Sequence, residues 1–164
     1  MAQLYLKFEG KGHSADIDGT VERPNYKACI AIDSFSFGAS HMGDRPTLSQ
    51  ADASIQGNAQ PGEIIVSKVA GQESPGLLTC CLKGTIVGKA TVTMDGSSDD
   101  AVATPIMTYV MEPVVVKSIT QGGGSGGGAA SIGESVSLSY DKITVTHVPS
   151  KKIATYQQST TAMK

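Results

Sequence analysis

The sequence predicts a mainly β protein: a small antiparallel β-barrel or sandwich with one short α-helix packed beside it. Three observations carry that prediction. Apolar and polar residues alternate in several stretches, which puts successive side chains on opposite faces of a strand. Turn-forming pairs such as Asp95-Gly96 separate those stretches. Only Glu73–Gly84 carries apolar residues at helical spacing between a start signal and a stop signal. At 164 residues the chain suits one domain, 1–164, with a real core. With no Trp and three Phe, that core has to be mostly aliphatic.

Gln3–Glu9 alternates, with Leu4, Leu6 and Phe8 on one face and Tyr5, Lys7 and Glu9 on the other. Gly10–Tyr26 is polar and turn-rich. Ala28–Ala39 is the next strand region, and its parity flips between Asp33 and Ser34: Ile30 and Ile32 share one face, Phe35 and Phe37 the other. A one-residue slip turns every later side chain over, so this point is a bulge or a change of surroundings. Ser40–Gly62 has no sustained period, contains Pro46, Gly57 and Pro61, and reads as a long loop over about 40–62. Glu63–Val69 is a β-branched strand.

The helix follows. Ser74 is placed to cap its N-terminus, and Pro75 falls in the first turn, where its missing N–H costs nothing. Leu77, Leu78, Cys81 and Leu82 form the stripe expected to face the sheet. Lys83 suits the negative C-terminal end and Gly84 the left-handed stop. Gly88–Met94 then alternates, Asp95–Asp100 turns a hairpin, and Thr104–Ile119 forms one strand or two, interrupted at Pro113. Gln121–Gly133 is glycine-rich. Glu134–Val148 is the last strand. Val136, Leu138 and Tyr140 share a face, while Ile143 and Val145 take the opposite parity, which places a second bulge at Asp141-Lys142. From Pro149 the chain turns polar, so 150–164 reads as a flexible tail.

A net charge of −2 argues against a broad nucleic-acid footprint. No apolar run is long enough to span a membrane, and no basic-then-apolar leader marks a cleavable signal peptide. The three cysteines, Cys29, Cys80 and Cys81, form no metal-like or redox-like spacing and read as buried small hydrophobes. Gly123-Gly124-Ser125-Gly126-Gly127 fits Gly-x-Ser-x-Gly formally, but that pattern signals a nucleophile only between a strand and a helix, and here more glycines and Ala-Ala-Ser follow. His13, Asp16 and Asp18 match no metal spacing closely, and His41 and His147 stand alone. Gly84–Lys89 lacks the spacing of a phosphate loop, and Lys151-Lys152 is too short for a nucleic-acid patch. No catalytic, cofactor-binding or metal-binding set emerges, and the chain does not read as an enzyme.

The ordered pieces resemble the haemolysin-coregulated protein family, the tube subunit of bacterial type VI secretion systems. The residues that carry the resemblance are Tyr5-Leu6-Lys7, Ile32-Asp33-Ser34-Phe35-Ser36-Phe37-Gly38, Ser74-Pro75-x-Leu77, Val114-Val115-Val116-x-Ser118, Gly123-Gly124-Ser125-Gly126-Gly127 and Glu134-Ser-Val136-Ser-Leu138-Ser-Tyr140-x-Lys142-Ile143. They span most of the chain in the family's order. Phe37 stands where many relatives have Trp, and the tail lacks their aromatic-glycine ending. The resemblance implies a homohexameric ring that stacks into a tube, capped by a spike protein, surrounded by contractile sheath proteins, and carrying secreted effectors. It implies that Ser125 contacts effectors in the lumen and that Gly96 lies at the ring-to-ring contact. It further implies assembly in the cytoplasm followed by secretion, with no cofactor, no nucleic acid and no membrane insertion. The competing class is a β-sandwich module binding carbohydrate or another surface ligand, disfavoured by the scarcity of aromatic stacking platforms.

Overall fold

The alternating segments pair into one large antiparallel sheet. The structure, a computed structural model, describes residues 3–42, 58–97, 99, 101–124 and 131–158. Its strands are β1 (Gln3–Glu9), β2 (Ile30–Ile32), β3 (Ser34–Ser36), β4 (Ala39–Met42), β5 (Asn58–Pro61) and β6 (Ile64–Val69). The helix α1 (Ser74–Lys83) precedes β7 (Ile86–Val87), β8 (Lys89–Asp95), β9 (Pro105–Gly123), β10 (Ile132–His147) and β11 (Lys152–Gln157). The hydrogen-bonded order is β2-β1-β8-β9-β10-β6-β3, with β11 added to β10 and β7 to β9. The ladders do not close into a barrel, and the fold is sandwich-like.

The parity flip at Asp33-Ser34 is a change of partner. β2 pairs with β1, whereas β3 pairs with β6. The Asp33 N–H donates to the Ser67 carbonyl at 2.8 Å, at the crossing point. The two ends of the ladder order are therefore one continuous piece of chain.

The core is aliphatic, as the composition requires. One half stacks the cross-strand rows Leu6–Val92–Tyr109–Val145 and Phe8–Ala90–Met111–Ile143. The other stacks Ile64–Leu138–Val116 and Val66–Val136–Ile119. The hairpin connection starts after Asp95 but runs on to Thr104. β9 and β10 extend to Gly123 and from Ile132 into the expected glycine-rich connection, whose residues 125–130 lie outside the described residues. β9 is a single strand running through Pro113. The second bulge is not at Asp141-Lys142. There β9 and β10 stay in step, with Tyr140 opposite Val114 and Lys142 opposite Glu112. Both strands turn over together: buried Met111 and Val114 in β9 face buried Ile143 and Tyr140 in β10, and the inward side changes between the two pairs without a lost register. The irregularity lies between Ser137 and Leu138, where β9 contributes the extra residue Lys117.

Within 40–62, Ala39–Met42 and Asn58–Pro61 pair as a separate two-stranded ribbon; 43–57 lie outside the described residues. The polar C-terminal sequence still forms β11 on the edge of β10, where Tyr156 packs against the core while Ile153 and Ala154 stay exposed.

The helix has the expected length and stop, with Gly84 left-handed at φ 65°. Its caps and face differ. Glu73 occupies the N-cap position and Ser74 is the first helical residue. The Ser74 hydroxyl accepts the Gly71 N–H at 3.0 Å rather than an N–H of the helix. The buried residues are Ser74, Leu77 and Cys80, with Cys81 half-buried, whereas Leu78 is exposed and Leu82 is 78% exposed. The cause is Gly76. A Cβ there would lie 2.3 Å from the Asp16 carbonyl, so this glycine lets the helix press against the turn at Ala15–Ile17. That contact rotates the helix away from the side its leucines mark. All three thiols are free, and burial pushes the Cys29 pKa up to about 11, which suits packing rather than reactivity.

Candidate functional site

Two buried polar clusters and one exposed sheet face stand apart from the aliphatic packing. The first cluster lies at the root of the glycine-rich connection. Lys68 and Glu134 occupy inward positions of β6 and β10 and are direct cross-strand partners. The fully buried Lys68 ammonium lies 2.6 Å from Glu73 and 2.8 Å from Glu134. It also donates to the Ser74 hydroxyl at 3.3 Å, and the Gln121 amide donates to the other Glu134 oxygen at 2.6 Å. Burial pushes the Glu134 pKa up, but the hydrogen bonds from Lys68, Gln121 and Ser74 and the Lys68 charge outweigh it, holding the group below the usual carboxylate range. The cluster thus ties both strands leaving the glycine connection to the start of α1.

The second cluster lies under the β8–β9 hairpin. Asp95 is fully buried, accepts the Ser97 N–H at 2.7 Å, and faces Arg23 at 3.5 Å. Tyr26 stacks on Tyr5 with ring centroids 4.3 Å apart, and the Arg23 guanidinium sits 5.3 Å above the Tyr26 ring. Burial pushes the Asp95 pKa up, yet the Tyr26 hydroxyl, the Ser97 and Thr104 amides and the Arg23 charge bring it below its ordinary value. Gly96 is exposed on this hairpin; its N–H donates to the Thr104 carbonyl at 3.0 Å.

The third feature is the outward face of β3, β6, β10 and β9. Register aligns Ser34, Ser67, Ser135 and Thr120 in one row and Ser36, Ile65, Ser137 and Ser118 in the next. Every member of these rows is uncharged.

The sequence motifs resolve as follows. Ser125 lies outside the described residues, and the segments flanking its glycine run are the paired strands β9 and β10. His13 contacts Asp18 at 2.7 Å while Asp16 is exposed elsewhere on the same turn. Among the described residues no group of three or more His, Cys, Asp or Glu side chains could hold a metal. His147 contacts the Ser150 hydroxyl at 2.7 Å, and His41 is exposed on the ribbon. Among the described residues no helix is long and apolar enough to cross a membrane. Sequence reasoning missed Arg23, Lys68, Asp95 and Glu134. For Lys68 and Glu134 a signal existed: each continues the apolar parity of its strand, so each charge points inward.

These features define a β-sheet scaffold whose distinctive groups are buried ion clusters, an uncharged sheet face and strand edges. The family model described as "Type VI secretion system effector, Hcp" matches residues 5–147, and the chain belongs to that family. Its fold is shared with Hcp1 from the E. coli EAEC 042 pathovar (TM-score 0.72, 19% identity, covering 95% of this chain and 97% of that one). Hcp1 from Salmonella typhimurium is similar too (TM-score 0.67, 19% identity, 95% and 94% covered). So is the secreted protein Hcp3 from Pseudomonas aeruginosa (TM-score 0.67, 17% identity, 96% and 99% covered). No curated protein matches the chain.

Proposed function

We propose that copies of this chain join edge to edge in a closed hexameric ring, and that rings stack into the inner tube of a type VI secretion machine. The observation that supports this most is the four-strand sheet with the hydroxyl face. β3 pairs with β6 alone, and Ser118–Gly123 of β9 pair with β10 alone among the described residues. Open backbone on both sides of one sheet is a liability unless another strand covers it. Joining one edge of each copy to the opposite edge of the next is a heterologous contact, which makes a ring when the rotation closes.

On this reading the uncharged hydroxyl face lines the bore, where small polar groups meet varied cargo without gripping it. Ser125 projects into the bore as the effector contact, and Gly96 lies where one ring meets the next. The partners are the spike at the tip, the sheath around the tube, and exported effectors. Assembly takes place in the cytoplasm before export, and the chain is a structural element rather than a catalyst.

Solution mass tests the ring: the purified protein should run near six subunits over a wide concentration range, and a strict monomer at tens of micromolar would sink the proposal. Ser125→Gln tests the bore. It should leave hexamer and melting temperature nearly unchanged, since exposed substitutions are usually within about 0.5 kcal/mol, yet lower co-purification of at least one effector. Ser125→Ala is the control without added bulk. Loss of the ring in Ser125→Gln would move the glycine run into the subunit interface, and an unchanged cargo set would remove it from the effector path.

A further inference from the structure

Two rows of the core cross the sheet and stop unfinished at an open edge. The row Leu6–Val92–Tyr109–Val145 continues onto β11 at Ala154, and the row Phe8–Ala90–Met111–Ile143 continues onto it at Tyr156. Beyond β11 no strand follows among the described residues, since it pairs with β10 alone. Ala154 is exposed although it shares the inward side with half-buried Val145. A groove of about 230 Å³ lies there, between this side of β11 and the β4–β5 ribbon. Its apolar walls include Phe37, Pro61, Ile143, Val145, Ala154 and Tyr156. It is smaller than the about 300–1,000 Å³ of a small-molecule pocket and suits a few inserted side chains.

The edge is long and unguarded. Natural sheets blunt such edges with charge, proline or a bulge. β11 has a lysine only at its first position, and Ile153–Gln157 are all uncharged and stay in register with β10. The Lys151 and Lys152 side chains are exposed at its start, with no ion-pair partner among the described residues. We infer that the open edge of β11 is a docking site where an extended segment of another protein adds as the next strand. In this mode backbone bonds supply affinity and alternate side chains supply selectivity.

The register defines the segment. A strand antiparallel to β11 meets Tyr156, then Ala154, then Lys152 on the inward side. Large apolar residues opposite Tyr156 and Ala154 fill the groove and complete the two core rows. A carboxylate opposite Lys152 makes the cross-strand pair that this ammonium lacks. The occupant therefore alternates two large apolar residues and closes on Asp or Glu. A second copy of this chain does not offer that pattern at its ring edges: Ser34–Ser36 and Ser118–Gly123 carry no carboxylate. The ring contact proposed above uses those two edges and leaves β11 free, so the site stands with or without the ring.

The probe is a labelled hexapeptide, Ser-Leu-Thr-Leu-Thr-Glu with blocked ends, titrated against the purified protein and read by fluorescence anisotropy and amide exchange. It should bind saturably and slow exchange along β11, with β1 and β8 unchanged. N-methylation of its third and fourth residues keeps every side chain but removes a donor whichever way the strand faces, and should weaken binding about tenfold. Lys in place of the peptide's Glu should also weaken it. Lys152→Glu should reverse that preference by about tenfold, because it turns an opposite-charge pair into a like-charge pair. Ala154→Asp, on the exposed edge, should abolish binding with the mass and melting temperature of the protein nearly unchanged. The peptide controls use unaltered protein, so they decide the matter even if a variant fails to fold. No saturable binding of the Glu peptide overturns the site, and so does equal binding of the N-methylated one. Equal affinity for the Glu and Lys peptides, or an unchanged preference in Lys152→Glu, overturns the acidic end of the occupant. Protection of the β11 amides that rises with concentration of the protein alone would put a second copy on this edge and overturn the proposal as well.

Discussion

Lys68→Ala is expected to cost about 3–5 kcal/mol of unfolding free energy, the usual loss when one partner of a buried ion pair is removed. The ammonium stands between Glu73 and Glu134, with its own side chain and that of Glu134 fully enclosed. Removing it leaves two carboxylates facing each other away from water. Lys68→Met with Glu134→Gln should recover much of the loss, since that pair strands less charge. The pH dependence follows from the direction of the Glu134 shift. A carboxylate held below its ordinary pKa adds stability above that ordinary value, about 4.3 for Glu, and loses it as pH falls through the depressed folded value. Asp95 is shifted the same way, so wild type should weaken steeply in acid. Lys68→Ala should weaken less steeply, because the cation that favours the charged Glu134 is gone. Urea melts across the acid range would measure both effects. A loss below about 1 kcal/mol for Lys68→Ala would mean that water reaches the cluster.

Leu77→Ala is the second large effect, about 2–5 kcal/mol for a fully buried leucine truncated in a packed core. Leu82→Ala, five residues along the same helix, should stay within about 0.5 kcal/mol because its side chain is mostly in solvent. Chemical denaturation of the two variants side by side makes the contrast decisive. Equal losses would mean that the helix lies on the leucine-rich side after all.

That contrast marks where the sequence stops being readable. Alternation found the strands because burial on one face of a sheet enforces a period of two, and the same rule exposed the break at Asp33-Ser34. The helix ends were legible in part: Gly84 stops it as its backbone freedom suggests, whereas Ser74 bonds to Gly71 and Lys68 instead of capping. The buried face of the helix was not legible, because the contact that orients it is a glycine against a carbonyl, which no hydrophobic pattern registers. The parity flip at Asp141-Lys142 was real, but both strands of the pair turn over together, and one strand's sequence cannot distinguish that from a bulge. In the candidate sites, Lys68 and Glu134 announce themselves by inward parity. Arg23 does not: it sits in an irregular stretch, and its partners lie far away in sequence at Asp95, Asp99 and Val102.

The passage of one short stretch of chain from β1 to β6 also governs how the molecule comes apart. Residues 30–36 supply both terminal strands of the ladder order, so neither border of the sheet can peel back by itself. Lifting Ile30–Ile32 from β1 drags on Ser34–Ser36, and the tug is felt at Val66 and Ser67 on the far side. Forming the seam requires segments remote in sequence to have met already, which makes it a late, high-contact-order step in folding. In the finished protein the same seam turns two vulnerable margins into one, and local fraying there becomes a cooperative event rather than a private one.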